Sequence, residues 1–244
     1  MARLVAVVRW FDRTPREVTR SLLRPRKVVP EGDRVLLQDL QPRLEQYLGQ
    51  LLALQLVVLQ QAGRAVAEAP TLAAKANLVE ALRIVSTRYR DLVQLLPRDV
   101  EPLAAMEPFF ASSERFAKEV AGADWYEQVL SLHVTTGLLS DFFVAYGAGL
   151  PDDGRDAVLR VLTRETGQPL LARELQRAIA QNPRLAARMA LWGRRLVGDT
   201  LLQMYLAVHG PEDASPAPSR RLEPAFNDIV AAHTRRMDAL GLTA

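Results

Sequence analysis

Most of the chain repeats apolar and polar residues with the period of an α-helix. The segment from Leu44 to Val66 contains no proline, and its apolar residues run nearly all the way round, which predicts a helix buried on most faces. Ala69-Pro70 ends this helix, and Thr71 is a suitable N-cap for a second helix that runs to about Leu96. No segment shows the alternation of apolar and polar residues that is typical of a half-buried strand.

Four further helices are predicted after a looser, proline-containing stretch between Pro102 and Asp124. Asp124 and either Asp152 or Asp153 are suitable N-caps, and Asn182-Pro183 is a cap followed by proline at the first helical position. The predicted helices span about 124–146, 152–179, 182–208 and 224–240. The polar, proline-rich segment 210–221 predicts a loop before the last of them. Six long helices joined by short connections indicate an all-α bundle.

Composition excludes several classes of protein. The chain has 244 residues, of which 49% are hydrophobic, and no cysteine, which excludes a disulfide scaffold, a thiolate metal site and a cysteine nucleophile. No apolar run has the roughly 18 residues that a membrane span needs, and the first residues lack the apolar region of a signal peptide. We therefore expect a soluble, cytoplasmic protein that does not bind a membrane.

Positive charge is concentrated at the N-terminus. Residues 1–30 carry eight basic and two acidic residues, a net charge of +6, whereas the whole chain has a net charge of +3. We therefore divide the chain into a basic arm, 1–35, and a bundle domain, 36–244. Such an arm can contact phosphate or an acidic partner, or it can be a solvated leader that packs loosely on the body.

Local spacing of the histidines does not indicate a metal site or a catalytic triad. None of the three, His133, His209 and His233, has a second histidine or a carboxylate three or four residues away on its own helix. The segment His-Thr-Arg-Arg-Met, 233–237, is interpreted as a charged, solvated helical turn.

Six short motifs occur in a characteristic order: Ala-Pro-Thr-Leu-Ala (69–73), Asp-Trp (124–125), Glu-Thr-Gly (165–167), Asn-Pro-Arg-Leu-Ala (182–186), Ala-Leu-Trp-Gly-Arg-Arg-Leu (190–196) and Ala-His-Thr-Arg-Arg-Met-Asp-Ala-Leu-Gly-Leu (232–242). In order and spacing they resemble an actinobacterial group of ferritin-like proteins. That group is usually described as similar to the tRNA hydroxylases that act on 2-methylthio-isopentenyl-adenosine. The resemblance covers about residues 40–242.

The resemblance implies a ferritin-like bundle whose active members hold two iron ions. Such a bundle takes a Glu from each of two helices and a Glu-x-x-His from each of the other two. The corresponding positions here are Gln55 on the first helix, Val85 and Arg88 on the second, Thr136 or Asp141 on the third, and Glu165 and Gln168 on the fourth. Both histidines and at least two carboxylates are replaced, so we expect no metal and no cofactor.

The resemblance also predicts what fills the former metal site. An isolated carboxylate in a bundle centre needs a partner, and the position of Arg88 faces the same site as Glu165. We expect a buried ion pair between these two side chains, with Gln55 and Gln168 hydrogen-bonded around it.

Three functions are compatible with such a site. The first is a pocket that binds or transforms a hydrophobic small molecule by redox-neutral isomerisation, elimination or cyclisation, with Glu165 as acid or base and Arg88 stabilising negative charge. The catalytic candidates are Glu165, Arg88, Gln168 and Gln55, and the substrate-binding candidates are Tyr89, His133, Thr136, Asp141, Phe142, Phe143 and Tyr146. The second is a non-catalytic scaffold or partner-binding protein. The third is an RNA-binding protein that uses the basic arm.

A second copy of the chain is a further possible partner. Leu51, Leu54 and Val58 could form an apolar face for a homodimer, although burial inside one bundle explains them equally well.

Overall fold

A computed structural model describes residues 36–209 and 223–242, and within these ranges every regular element is helical. The basic arm 1–35 and the loop 210–221 lie outside the described residues. A short 3-10 helix, Leu37–Leu40, precedes the α-helices. These are α1 (Leu44–Ala67), α2 (Leu72–Val93), α3 (Pro102–Glu119), α4 (Trp125–Gly147), α5 (Asp152–Leu162), α6 (Gln168–Gln181), α7 (Arg184–His209) and α8 (Glu223–Ala239). The predicted all-α class is confirmed, with eight α-helices in the described residues rather than six.

The first additional helix is α3, which occupies the stretch that the prolines suggested was irregular. Pro102 stands in the first turn, where a missing N–H does no harm, and the Glu101 carboxylate caps the helix by accepting from the Ala104 N–H at 3.0 Å. Pro108 lies inside the helix on its exposed side. The two prolines therefore mark the beginning of a helix rather than its absence.

The second additional helix arises because the predicted helix over 152–179 is two helices. Helix α5 ends at Leu162, and α6 begins at Gln168. Gly167 between them has φ +72°, a left-handed conformation that glycine adopts without strain. This corner brings the end of α5 and the start of α6 against α2.

Helices α1 and α4 form the centre of the bundle. Helix α1 packs against α2, α3 and α4, while α4 also packs against α5, α6, α7 and α8. Gly49 permits the close approach of α1 to α3, because a Cβ at this position would lie 2.1 Å from the Ala105 carbonyl oxygen. Leu51, Leu54 and Val58, the candidates for a homodimer face, are buried within the chain. The prediction that α1 is buried on most sides is confirmed.

Helix α4 is also the one helix in the described residues that is long and apolar enough to cross a membrane. Most of that apolar stretch, 72%, is buried inside the bundle. Such burial is typical of the core helix of a soluble protein.

Candidate functional site

Four of the positions compared with iron ligands line one cavity at the centre of the bundle. Gln55 comes from α1, Val85 and Arg88 from α2, and Thr136 from α4. Ser140 and Thr166 add two hydroxyl groups and were not among the predicted site residues. The remaining lining is apolar and consists of Leu51, Leu54, Val58, Leu139, Phe143 and Leu162.

The cavity has room for a solvent molecule only. Its volume is about 20 Å³. A water molecule needs about 10–15 Å³ by this measure, whereas pockets for small-molecule ligands measure roughly 300–1,000 Å³. The side chains have therefore filled the space between these helices.

Gln168 ties the start of α6 to α4 beside this cavity. Its Nε2 donates to the carbonyl oxygen of His133 at 2.9 Å and to the hydroxyl oxygen of Thr136. The Thr136 hydroxyl in turn donates to the Leu132 carbonyl at 2.5 Å. These neutral hydrogen bonds connect two helices that meet beside the positions compared with iron ligands.

Arg88 does not make the expected ion pair with Glu165. Its Nη2 donates instead to three backbone carbonyl oxygens, those of Leu162 at 3.5 Å, Arg164 at 3.4 Å and Glu165 at 3.1 Å. The Glu165 side chain is exposed, and its charge acts on Arg83. The expectation was wrong because residue 165 lies in the corner between α5 and α6, where helical periodicity does not set the direction of a side chain.

The contacts of Arg88 nevertheless hold three elements together. The carbonyl of Leu162 belongs to the last turn of α5, where helix carbonyls have no intrahelical partner and the helix dipole is negative. The Arg88 guanidinium on α2 donates to a carbonyl oxygen at this helix end and to two more in the corner that follows it. Burial lowers the pKa of Arg88, a shift that opposes its charged form.

The aromatic candidates divide into one cavity residue and several core residues. Phe143 lines the cavity. Phe142 and Tyr146 pack against each other, with ring centroids 5.5 Å apart, on a side of α4 that does not line it. Tyr89 is half-buried, and its hydroxyl lies 4.0 Å from the sulfur of Met106 on α3. Phe142, Tyr146 and Tyr89 therefore do not border the cavity in this structure.

His133 and Asp141 do not line the cavity and lie on the side of α4 that packs against α8. Asp141 forms an ion pair with Arg236, with Oδ2 and Nη1 2.8 Å apart. Of the two alternatives for the third helix, Thr136 thus faces the cavity and Asp141 does not. The interpretation of 233–237 as a solvated turn was wrong, because His233 is 2% exposed and Met237 is fully buried.

This second polar cluster could have been found from periodicity on α8. Ile229, His233, Arg236 and Leu240 recur at intervals of three or four residues, which places them on one face of a helix. Gly137 on α4 makes room for this face, because a Cβ there would lie 2.8 Å from Nε of Arg236.

Both buried histidines of the cluster are held neutral. Burial, and then the charge of Arg236, lower the pKa of His133 from 6.5 to about 4, with a further contribution from His233. The same two causes lower the pKa of His233 to about 4. Among the described residues, neither ring nitrogen of His133 has a hydrogen-bond partner, and Nε2 of His233 has none.

The donor set of the central cavity does not suit iron. The side chains at the compared positions are an amide, a valine, a guanidinium and a hydroxyl, none of which neutralises a metal cation. Across residues 36–209 and 223–242, no group of three or more His, Asp or Glu side chains is arranged to hold a metal ion.

Comparison with known proteins identifies a family. The model of the ferritin-like domain of actinomycetes matches residues 45–213. No protein with a curated description is significantly similar to the chain.

Proposed function

We propose that this chain, which belongs to the family of ferritin-like domains of actinomycetes, is a metal-free member that acts by binding at its surface. The observation that carries the proposal is the position of Arg88. It lines the central cavity, where the resemblance implies a histidine ligand, and ties α2 to the end of α5 through three carbonyl oxygens. A permanent cation at this place repels a metal ion, and its hydrogen bonds join helices that shared metal ligands would otherwise connect.

The filled centre supports a binding role over internal chemistry. A cavity of about 20 Å³ cannot hold an organic substrate. Glu165, the candidate acid or base, lies in an outer groove rather than in the cavity. This arrangement favours the non-catalytic alternative, in which the bundle is a scaffold that presents a binding surface.

Redox-neutral catalysis on a hydrophobic small molecule is the second candidate. One observation favours it: Arg88 borders both the central cavity and the outer groove of about 130 Å³. Movement of this one side chain would join the two spaces and bring Glu165 to the edge of an apolar chamber. A rise in melting temperature with small apolar compounds, lost in Phe143→Trp, would support this candidate.

RNA binding remains a prediction that depends on residues 1–30. It expects affinity for tRNA that falls steeply with salt, because phosphate contacts release counterions. Deletion of residues 1–30 would abolish that affinity, while the remaining chain, 31–244, would keep the circular dichroism spectrum of a helical bundle.

The central test is the iron content of the full-length protein after anaerobic incubation with ferrous iron and desalting. We expect near-zero iron by elemental analysis. About two iron ions per chain would overturn the proposal and show that other residues serve as ligands.

A matched variant makes the test informative in both directions. It restores the implied ligands through Gln55→Glu, Val85→Glu, Arg88→His, Thr136→Glu and Gln168→His. If the variant folds, we expect it to retain iron where the natural protein does not. Iron in the natural protein at the level of the variant would contradict the replacement of metal by Arg88.

A further inference from the structure

The outer groove lies directly outside Arg88, between α2 and the corner that joins α5 to α6. Its volume is about 130 Å³. Ile84 and Val161 form apolar walls, and the Thr87 hydroxyl lies on the same helix as Arg88. Arg88 separates this groove from the central cavity, since it lines both.

The charges around the groove leave one cation without a carboxylate. Arg164 pairs with Asp91 at 3.1 Å. Arg83 pairs with Glu80 at 2.6 Å, and the charge of Glu165 also acts on Arg83. Within the described part of the chain, Arg88 has carbonyl oxygens as its hydrogen-bond partners and no carboxylate.

A half-buried guanidinium without a counter-ion is an unfavourable arrangement. Desolvation of a charge is costly unless an opposite charge or good hydrogen bonds compensate for it. The three hydrogen bonds of Arg88 all use Nη2 and are long, between 3.1 and 3.5 Å. Nε and Nη1 make no hydrogen bond to a described residue, so N–H donors of the guanidinium remain for a ligand.

We infer that this groove binds a small organic carboxylate, which accepts a hydrogen bond from the unbonded N–H groups of Arg88. A hydrogen bond between a guanidinium and a carboxylate joins two charged groups and is stronger than one between neutral groups. A short apolar group on the ligand would contact Ile84 and Val161. Three arginines and two carboxylates line the groove, and this excess of one positive charge suits a monoanion better than a phosphate dianion.

Glu165 is the natural competitor of such a ligand. Its backbone carbonyl oxygen accepts from Arg88 at 3.1 Å, while its carboxylate is exposed at the same groove. Rotation of the Glu165 side chain would bring its own carboxylate to the guanidinium. Arg88 can thus pair either with the Glu165 carboxylate or with the carboxylate of a bound ligand.

The inference rests on the proposed binding role of the protein and is tested separately from the iron analysis. The probe is sodium benzoate, titrated into the full-length protein at constant ionic strength and followed through the side-chain Nε–H signal of Arg88 by NMR. We expect a saturable shift of this signal. Inorganic phosphate at the same concentration should bind more weakly, and tighter binding of phosphate would contradict the carboxylate assignment.

Three variants decide which residue binds the probe, with benzoate affinity measured by calorimetry. Arg88→Gln should weaken binding at least tenfold, and Glu165→Gln should strengthen it several-fold because the competitor is removed. Arg160→Gln, an exposed arginine on α5 that does not line the groove, should leave it unchanged.

Equal affinity in the natural protein and in Arg88→Gln would overturn the inference. Should Arg88→Gln fail to fold, Glu165→Gln still tests it, because unchanged or weaker binding in that variant contradicts competition at Arg88. Near-zero iron combined with no benzoate binding would remove the carboxylate site and leave the metal-free proposal standing.

Discussion

The two faces of α4 bury polar groups of different kinds. On the cavity face, the neutral Thr136 hydroxyl is hydrogen-bonded to Gln168 and to the Leu132 carbonyl. On the α8 face, His133 and Asp141 lie with Arg236, and both ring nitrogens of His133 lack a partner within the part of the chain that the structure describes. Neutral, paired groups can be buried at any pH, whereas ionisable groups make helix packing depend on protonation. The hydrogen bonds on the cavity face should therefore persist at any pH, whereas we expect the packing of α8 against α4 to weaken in acid.

The largest expected effect comes from removing a large aromatic side chain that lines the central cavity. Phe143 is 1% exposed and lines the cavity, so Phe143→Ala should lower the free energy of unfolding by about 3–5 kcal/mol. Urea unfolding measures this change. Phe110→Ala on α3 is the control, because Phe110 is 54% exposed and its loss should change stability by under about 0.5 kcal/mol. Similar losses in both variants would contradict the assignment of Phe143 to the core.

The second-largest effect is expected from low pH, which should protonate His133 and His233 where α4 packs against α8. The folded pKa values of His133 and His233 are about 4, below the ordinary value of 6.5, so the unfolded chain binds more protons between these pH values. The stabilisation is complete above pH 6.5 and is lost as the pH falls towards 4. Each histidine contributes roughly 3 kcal/mol at most.

Urea unfolding at pH 7.5 and pH 5 tests this dependence in the natural protein and in the double variant His133→Gln, His233→Gln. The difference in stability between the two pH values should be smaller in the variant. If both proteins lose the same stability, carboxylates elsewhere cause the acid sensitivity and the histidines do not.

A smaller effect is expected from the ion pair on the same face. Asp141→Asn leaves the Arg236 charge next to two histidines and should cost about 1–2 kcal/mol, since the pair is partly exposed, with 25% of the Arg236 side chain and 34% of the Asp141 side chain accessible. The loss should grow at pH 5. Asp228→Asn, an exposed carboxylate on α8, is the matched control and should have little effect.

The smallest effect concerns one hydroxyl on the cavity face. Thr136→Val removes the acceptor of the Gln168 amide and should lower stability by about 1 kcal/mol, equally at pH 7.5 and pH 5. Thr136→Ser keeps the hydroxyl and should retain the hydrogen bond. A pH-dependent loss in Thr136→Val would show that the two faces are coupled.

Caps and periodicity predicted most helices from the sequence. The Thr71 hydroxyl accepts from the Ala74 N–H at 3.1 Å, and the Asp124 carboxylate accepts from the Glu127 N–H at 2.9 Å, as expected of N-caps. Pro102 misled the prediction, because the same residue that ends one helix also fits the first turn of another. The break before Gly167 was missed although Thr166, Gly167 and Pro169 all disfavour a helix interior, and Pro169 fits the first turn of α6.

The candidate site was predictable only where helical geometry sets direction. Gln55 and Arg88 lie on long, continuous helices, so their spacing along the chain determines that both border the centre. Glu165 lies in a corner, and its side chain points outward for reasons that only the path between α5 and α6 decides. Asp141 faces α8 because the helix turns it away from Thr136.

Sequence alone determined the helical class, the N-caps Thr71 and Asp124, and the chemical character of the positions compared with iron ligands, whereas Pro151 and not Asp152 or Asp153 is the N-cap of α5. These follow from local backbone preferences and from residue identity, which need no knowledge of distant contacts. Tertiary structure decided the partners: Arg88 meets carbonyl oxygens rather than Glu165, and His133 meets Arg236. Partners depend on how helices far apart in the chain approach one another, and that packing sets both the size of the cavity and the charge around each buried group.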